Sequence, residues 1–259
     1  MPDSRLEAVA AAAAEAGQLA YKRLHDGFRR WEKVPGHPVC EVDLEVDALL
    51  FDRLKVIDPD AGWLSEETAD DAARLGAERV WVVDPIDGTR DYLRGRPGWC
   101  ISVALVERGQ TILGVLDAPA RGERWAARAG GGAVRDGAPL ATSARTELSG
   151  ARVPADTLPY VDRDLVAVPR PNSIALRIAM VAAAEVDLCA SLRWGMEWDI
   201  AAAALIAEEA GACVSDASGA PIRYNKAGGE VFGILVSAPA IHQAAVGRLA
   251  DRARAASRR

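Results

Sequence analysis

Apolar and polar positions repeat with helical spacing at the start of the chain and with strand spacing in its middle. Leu6 to roughly Asp26, rich in Ala, Leu, Glu and Lys with few breakers, predicts a helix. "GFRRWEKVPGHPV" interrupts it with Gly and Pro. A second helix is expected through "DLEVDALLFDRL", with Leu44, Leu49, Leu50 and Leu54 as its apolar face, and Pro59 and Gly62 end it. "GWLSEET" reads as a loop. "RVWVVD" and "WCISVALVERGQTILGVLDAP" read as strands, the latter turning near Arg108, Gly109 and Gln110, and "RWAARAGGGAVRDGAPL" continues the sheet pattern.

These features predict helices packed on an antiparallel sheet up to Ser143. Beyond it a strand "LVAVP", a helix "SIALRIAMVAAAEV", a strand near "DLCASL", a helix "WDIAAAALIAEEAG" and "CVSD" alternate, which predicts an α/β lobe. No repeat or low-complexity linker separates the halves, so 1–143 and 144–259 are expected to be lobes of one compact unit. Trp99, Trp194 and Trp198 are expected in the core.

Composition narrows the classes. With 259 residues, 50% of them hydrophobic, the chain can bury a substantial core. Cys40, Cys100, Cys189 and Cys213 form no CxxC pair, which speaks against zinc and a disulfide framework and for reduced thiols in a cytoplasm. The N-terminal stretch is acidic where an export signal needs positive charge, and its alanine run is broken by Glu15 and Gly17, so neither export nor a membrane span is expected. A net charge of -6 gives no bias toward a nucleic-acid polymer, and the basic "DRARAASRR" reads as a solvated helix end.

The chemistry concentrates in "VWVVDPIDGTR", Val80 to Arg90. Asp84 ending a strand and Asp87-Gly88 forming a turn is the plain alternative, since both residue types favour turns. Yet Asp84 follows four apolar residues directly, where an unpaired carboxylate is costly to desolvate. A hard cation removes both the burial and the repulsion, and magnesium prefers oxygen ligands. The histidines, His25, His37 and His242, are too dispersed to suggest an imidazole site. Gly88 and Thr89 could offer backbone N–H groups to a phosphate, with the Thr89 hydroxyl orienting a water.

The three-residue offset of Asp84 and Asp87 disfavours the Asp-x-Asp nucleophile pair of haloacid-dehalogenase phosphatases. Gly130, Gly131 and Gly132 do not make a dinucleotide fingerprint and read as a loop or bulge. Further carboxylates stand at Glu66 and Glu67, otherwise a solvated turn, and at Asp199, otherwise a helix N-cap.

"SEE", "WVVDPIDGTRDY", "EWDIAAA" and "EEAGACVSDASGAPI", in that order, resemble the inositol monophosphatase superfamily of magnesium-dependent, lithium-sensitive phosphomonoesterases, from "PVCEVDLEVD" to "GILVSAP". The resemblance implies a layered α-β-α-β-α sugar-phosphatase fold and a site with two or three Mg2+ ions. Glu66, Asp84 and the carbonyl of Ile86 would hold the first ion, and Asp84, Asp87 and Asp199 the second. A water oriented by Glu66 and Thr89 would attack phosphorus in line while the second ion stabilises the leaving oxygen. Gly88 and Thr89 amides would hold the phosphate. Asp43 would pair with the Thr89 hydroxyl; Cys40 stands where the family usually has Thr.

"MEWD" and "GAPIRYNK" look more like the 3'(2'),5'-bisphosphate nucleotidases, which remove the 3'-phosphate from adenosine 3',5'-bisphosphate. That likeness would place Glu197, Arg177 and the Tyr224 to Lys226 segment near a small phosphorylated substrate. "PNSIALR" departs from the Gly-Ser-Ser common in the family, with Ser173, Ile174 and Ala175 in its place, and the segment between Ser143 and Val168 is difficult to match. Inositol 1-phosphate and histidinol phosphate therefore stay open as alternative substrates, as do a homodimer and a metal-stabilised scaffold without turnover.

Overall fold

A computed structural model describes residues 4–34 and 37–258, and it stacks five layers. Helices α1 (Ser4–Arg23) and α2 (Glu41–Ile57) form the first layer. The second is a seven-stranded sheet of β3 (Gly62–Ser65), β4 (Arg79–Asp87), β5 (Cys100–Glu107), β6 (Gln110–Ala118), β7 (Glu123–Arg128), β8 (Ala133–Arg135) and β9 (Ala138–Pro139), in that spatial order. Helices α4 (Ile174–Ala182) and α5 (Glu197–Glu209) make the third. The fourth contains β12 (Leu188–Met196), β14 (Glu230–Ser237) and β13 (Cys213–Ser215), and α6 (His242–Ser257) packs outside it. A hairpin of β1 (Arg30–Val34) and β2 (His37–Cys40), the one-turn helix α3 (Thr89–Tyr92), and a pair of β10 (Arg152–Pro154) and β11 (Val166–Val168) complete the chain.

Helices cover both faces of the large sheet, which explains why β4 carries an unbroken buried run instead of an alternating one. Trp81 and Val83 pack toward α1 and α2, and Val80 and Val82 toward α4 and α5. The alanines of α5 let that helix lie close to β6: a Cβ on Gly114 would stand 2.6 Å from the Ala202 carbonyl oxygen. This apolar cluster draws on residues from both sides of Ser143.

Several elements differ from the sequence expectation. Helix α1 ends at Arg23, and "GFRRWEKVPGHPV" is more than a break, because it contains the β1–β2 hairpin. "GWLSEET" is not all loop: Gly62–Ser65 pairs in parallel with β4, an edge contact that so short a segment does not announce. On α2 the buried stripe is Val42, Val46, Leu50 and Leu54, whereas Leu44 is 43% exposed. The β12-β14-β13 sheet is antiparallel throughout, so the alternation of elements in that half does not produce parallel pairing there. Trp99 is buried and Trp198 partly buried against the core, but Trp194 is 53% exposed beside Phe232 on the edge strand β12.

Candidate active site

Strand β4 delivers the central residues through an irregularity. Asp84 pairs with Ser102 and Asp87 with Cys100, so three steps along β4 match two along β5. The extra residue accommodates Pro85, which cannot donate to a ladder. The Asp84 carboxylate accepts from Ile86 N at 3.0 Å. Gly88 then turns the chain in the left-handed region (φ +97°), with a Cβ excluded by the Gly98 carbonyl oxygen at 2.6 Å. Thr89 begins α3, and its hydroxyl donates to the Ile86 carbonyl at 3.0 Å.

These residues line an open cavity of about 170 Å3 together with Glu66, Asp199, Arg90 and Asn172. Glu66 arrives from the end of β3, where its N–H donates to Val83 O. Asp199 arrives from the first turn of α5, and its Oδ2 accepts from Met196 N at 2.9 Å, fulfilling the capping role as well. Asp87 sits at the N-terminus of α4: Ser173 Oγ and Ala175 N both donate to its Oδ2, at 2.5 and 2.7 Å. The serine of "PNSIALR" is thus turned to Asp87, and the Ala175 amide assists it.

Asp43 is 1% exposed on α2 rather than a solvated charge, and its Oδ2 accepts from the Cys40 N–H at 2.8 Å and thiol at 2.9 Å. A thiol can therefore stand at this helix start because it still donates to Asp43.

The electrostatics are those of carboxylates gathered without enough compensating charge. Burial, then the neighbouring charges of Glu66, Asp87, Asp199 and Asp43, pushes Asp84 well above the ordinary carboxylate range. Burial and the charge of Asp87 push Asp199 up to about 8. Asp87 rises to about 6 because its burial outweighs the Ser173 and Ala175 hydrogen bonds. Among the described residues no three His, Cys, Asp or Glu side chains form a ready-made coordination cluster. The all-oxygen donor set nevertheless fits magnesium, which retains several waters and needs few direct carboxylates. Asp84, Asp87 and Asp199 each spend oxygen on backbone amides and still border the cavity.

Other residues singled out in the sequence lie elsewhere. Glu197 is fully buried, and its two oxygens accept from Asn225 N at 2.6 Å and Lys226 N at 3.0 Å. Tyr224 packs in the core between the large sheet and α5, and the Lys226 ammonium turns to the Glu230 carbonyl. None of the three borders the carboxylate cavity, and the two Glu197 oxygens each accept one backbone N–H. Arg177 acts at one remove, donating to the Pro171 and Asn172 carbonyls and fixing the wall that Asn172 presents. Gly130 and Gly132 form a turn whose amides donate to Glu209.

Two contributors escaped sequence reasoning. Asp47, 7% exposed, accepts from Ser65 Oγ and from Thr68 Oγ1 (2.6 Å), so it grips both sides of Glu66. Arg74, 3% exposed, bonds Asp70, Asn225 and the Lys226 carbonyl, tying the segment after Glu66 to the loop that Glu197 holds. For Asp47 a signal existed: Asp43 and Asp47 lie four apart, each beside a valine of the buried stripe.

Comparison with known proteins shows the family and the fold. The sequence model of the inositol monophosphatase family matches residues 1–255. The fructose-1,6-bisphosphatase/inositol-1-monophosphatase of Thermotoga maritima is 35% identical over 191 residues, 70% of this chain and 72% of that protein. A histidinol-phosphatase of Chlorobaculum parvum is 32% identical over 228 residues, 80% of this chain and 85% of that protein. The solved structure of a Thermotoga maritima IMPase superposes with a TM-score of 0.83 at 28% identity, covering 98% of this chain and 99% of the other. The chain, with its layered fold and carboxylate-lined cavity, is a member of the inositol monophosphatase family.

Proposed function

We propose that this protein is a magnesium-dependent, lithium-sensitive phosphomonoesterase acting on a small phosphorylated metabolite, without a nucleic-acid or membrane partner. The observation that carries the reading is the burial of Asp84 among Glu66, Asp87, Asp199 and Asp43 at the mouth of a glycine turn. In this reading Glu66, Asp84, the Ile86 carbonyl, Asp87 and Asp199 hold two or three Mg2+ ions. The bound ions supply Lewis-acid polarisation of the phosphoryl group and neutralise charge on the leaving oxygen. Glu66 and the Thr89 hydroxyl orient the attacking water; the expected pairing of that hydroxyl with Asp43 is not formed, because it donates to the Ile86 carbonyl while Asp43 accepts from Cys40. The Gly88 and Thr89 amides, in a turn and a first helical turn where intrahelical acceptors are lacking, hold the phosphate oxygens. A cytoplasmic location accords with four free cysteines and with the absence, among the described residues, of a helix long and apolar enough to cross a membrane.

Inositol 1-phosphate is one substrate reading, supported by the name of the Thermotoga maritima relative. Adenosine 3',5'-bisphosphate is the second: Glu197, Tyr224 and Lys226 lie outside the carboxylate cavity, and an arginine-rich pocket beside the cavity supports it. Phosphate release from these two and from histidinol phosphate, with Mg2+, with chelator and with Li+, tests the proposal. Mg2+-dependent release suppressed by lithium sustains it. Metal-induced stabilisation without release from any phosphomonoester supports the scaffold alternative instead.

A further inference from the structure

Glu66 and Asp199 reach the carboxylate cavity from different layers, one from the end of β3 and the other from the first turn of α5. Outside the cavity lining, the two segments meet again at a buried arginine. Arg74 lies in a short 3-10 turn, Ala72–Gly76, on the chain that continues from Glu66. Its Nη1 donates to Asn225 Oδ1 at 2.6 Å and its Nη2 to the Lys226 carbonyl at 3.0 Å, and Asn225 Nδ2 donates back to the Arg74 carbonyl at 3.1 Å. The Asn225 and Lys226 amides donate in turn to Glu197, which opens α5 two residues before Asp199. A continuous chain of hydrogen bonds therefore runs from the Glu66 segment to the helix start that carries Asp199.

Each joint of this link is fixed. Arg74 also donates to both Asp70 oxygens, at 2.5 and 2.9 Å, which holds the guanidinium fork in one orientation. Strand β3 closes up on it at Gly62, where a Cβ would stand 2.9 Å from Arg74 Cβ. Asn225 stands at φ +58°, a region most side chains avoid, with its amide, carboxamide NH2 and carboxamide oxygen all engaged. A buried polar network with its members satisfied is stiff, so it transmits a displacement instead of absorbing it. Asp47 ties the Glu66 segment to α2, and Arg74 ties that same segment to the side where Asp199 stands.

We infer that Arg74 and Asn225 are positioning residues that couple the two cation positions by holding Glu66 and Asp199 at a fixed separation, an inference that rests on the magnesium reading of the cavity. In that reading Glu66 serves the first position and Asp199 the second, so the link joins the two carboxylates that the positions do not share. Settling Glu66 around one ion then settles Asp199 for the other, and the coupling is the same in both directions.

The test titrates wild type, N225G, R74M and R74M/N225G with Mg2+ in a calorimeter, without substrate, and with Mn2+ under electron paramagnetic resonance, where two neighbouring ions give a spin-coupled signal. N225G is the mild variant: Gly adopts the left-handed φ freely and keeps the backbone N–H that Glu197 accepts, so only the side-chain link is cut. R74M keeps the buried stem and leaves Asp70 to solvent. Each single variant should weaken the second stepwise Mg2+ constant by about tenfold, within the range usual for coupled sites, and change the first far less. The double variant should be no weaker than the worse single one, because both substitutions cut the same link. At one equivalent of Mn2+, isolated ions should replace coupled pairs in the variants. Unchanged stepwise constants beside a lowered melting temperature overturn the inference and leave the link purely structural. Equal weakening of both constants also overturns it, since the site has then loosened as a whole. Should R74M fail to fold, N225G alone decides. A wild type that binds no Mg2+ overturns the magnesium reading and this inference with it, whereas binding that the variants leave intact overturns this inference alone.

Discussion

Asp84 and Asp87 open on the same cavity although three steps along one strand separate them. In a regular strand an odd separation sends side chains to opposite faces. Here the bulge sets Asp84 opposite Ser102 and Asp87 opposite Cys100, two residues that share a face, and so restores the alignment. The pair is also treated unequally: Asp87 has the α4 N-terminus and Ser173, while among the described residues Asp84 has the Ile86 amide alone to offset four neighbouring carboxylates.

Asp84→Asn is therefore expected to abolish turnover while raising the thermal stability of the metal-free protein. The amide keeps the side-chain volume and cannot ionise, so the metal-free variant escapes the cost of charging a buried group among carboxylates as pH rises. Activity should fall by more than the roughly 10–100-fold typical of losing an outer-shell partner. Steady-state kinetics and melting curves with and without Mg2+ check both parts; near-wild-type activity would reject a metal role for Asp84.

Magnesium binding should release protons near neutral pH. Asp199 stands at about 8 and Asp87 at about 6 in the metal-free protein, and ligation requires the deprotonated carboxylates. Affinity should rise as pH rises through this range. The folded pKa values lie above the unfolded carboxylate value near 3.9, so the folded state holds the extra protons, and metal-free stability should fall as pH rises from about 4 to about 8. Calorimetry in buffers of different ionisation enthalpy reads the proton release, and saturating Mg2+ should flatten the stability profile.

Asp47→Ala should destabilise the fold by about 1–3 kcal/mol, because Ser65 and Thr68 lose a buried acceptor. It should also weaken Mg2+ binding by about 10–100-fold, since both grips on the Glu66 segment are released. A variant that loses stability but binds Mg2+ like wild type would leave Asp47 a purely structural residue.

Glu197→Gln separates a structural acid from a substrate contact. One oxygen becomes an NH2 group facing a backbone N–H, at a cost of about 1–3 kcal/mol in stability. KM should stay unchanged for whichever phosphate ester proves to be the substrate. A selective rise in KM for adenosine 3',5'-bisphosphate would restore Glu197 as a pocket residue.

Much of the site was legible from the chain because its parts lie in short continuous stretches. "DPIDGT" carries a strand end, a bulge and a left-handed glycine within six residues, and "EWD" places Asp199 in the first turn of a helix. Local backbone preference and the cost of burying a bare carboxylate suffice for that much. The long strands and alanine-rich helices were legible for the same reason: apolar periodicity records which faces are covered.

What only the tertiary structure decided concerns partners distant in sequence. Whether Glu197 faces a substrate or caps a loop depends on Asn225 and Lys226, and whether Asp47 is a surface acid or a clamp depends on Ser65 and Thr68. Leu44 and Trp194 look like core residues in one dimension and are exposed because α2 turns Val42, Val46 and Leu50 inward and β12 is an edge strand. The arginine pocket gathers Arg94 and Arg96 with Arg121 and Arg170, from three separate segments, beside Asn172. Sequence alone determined which residues have the chemistry to bind cations and phosphate; folding determined which of their charges are compensated, because an ion pair or a buried hydrogen bond depends on distance in space and not along the chain.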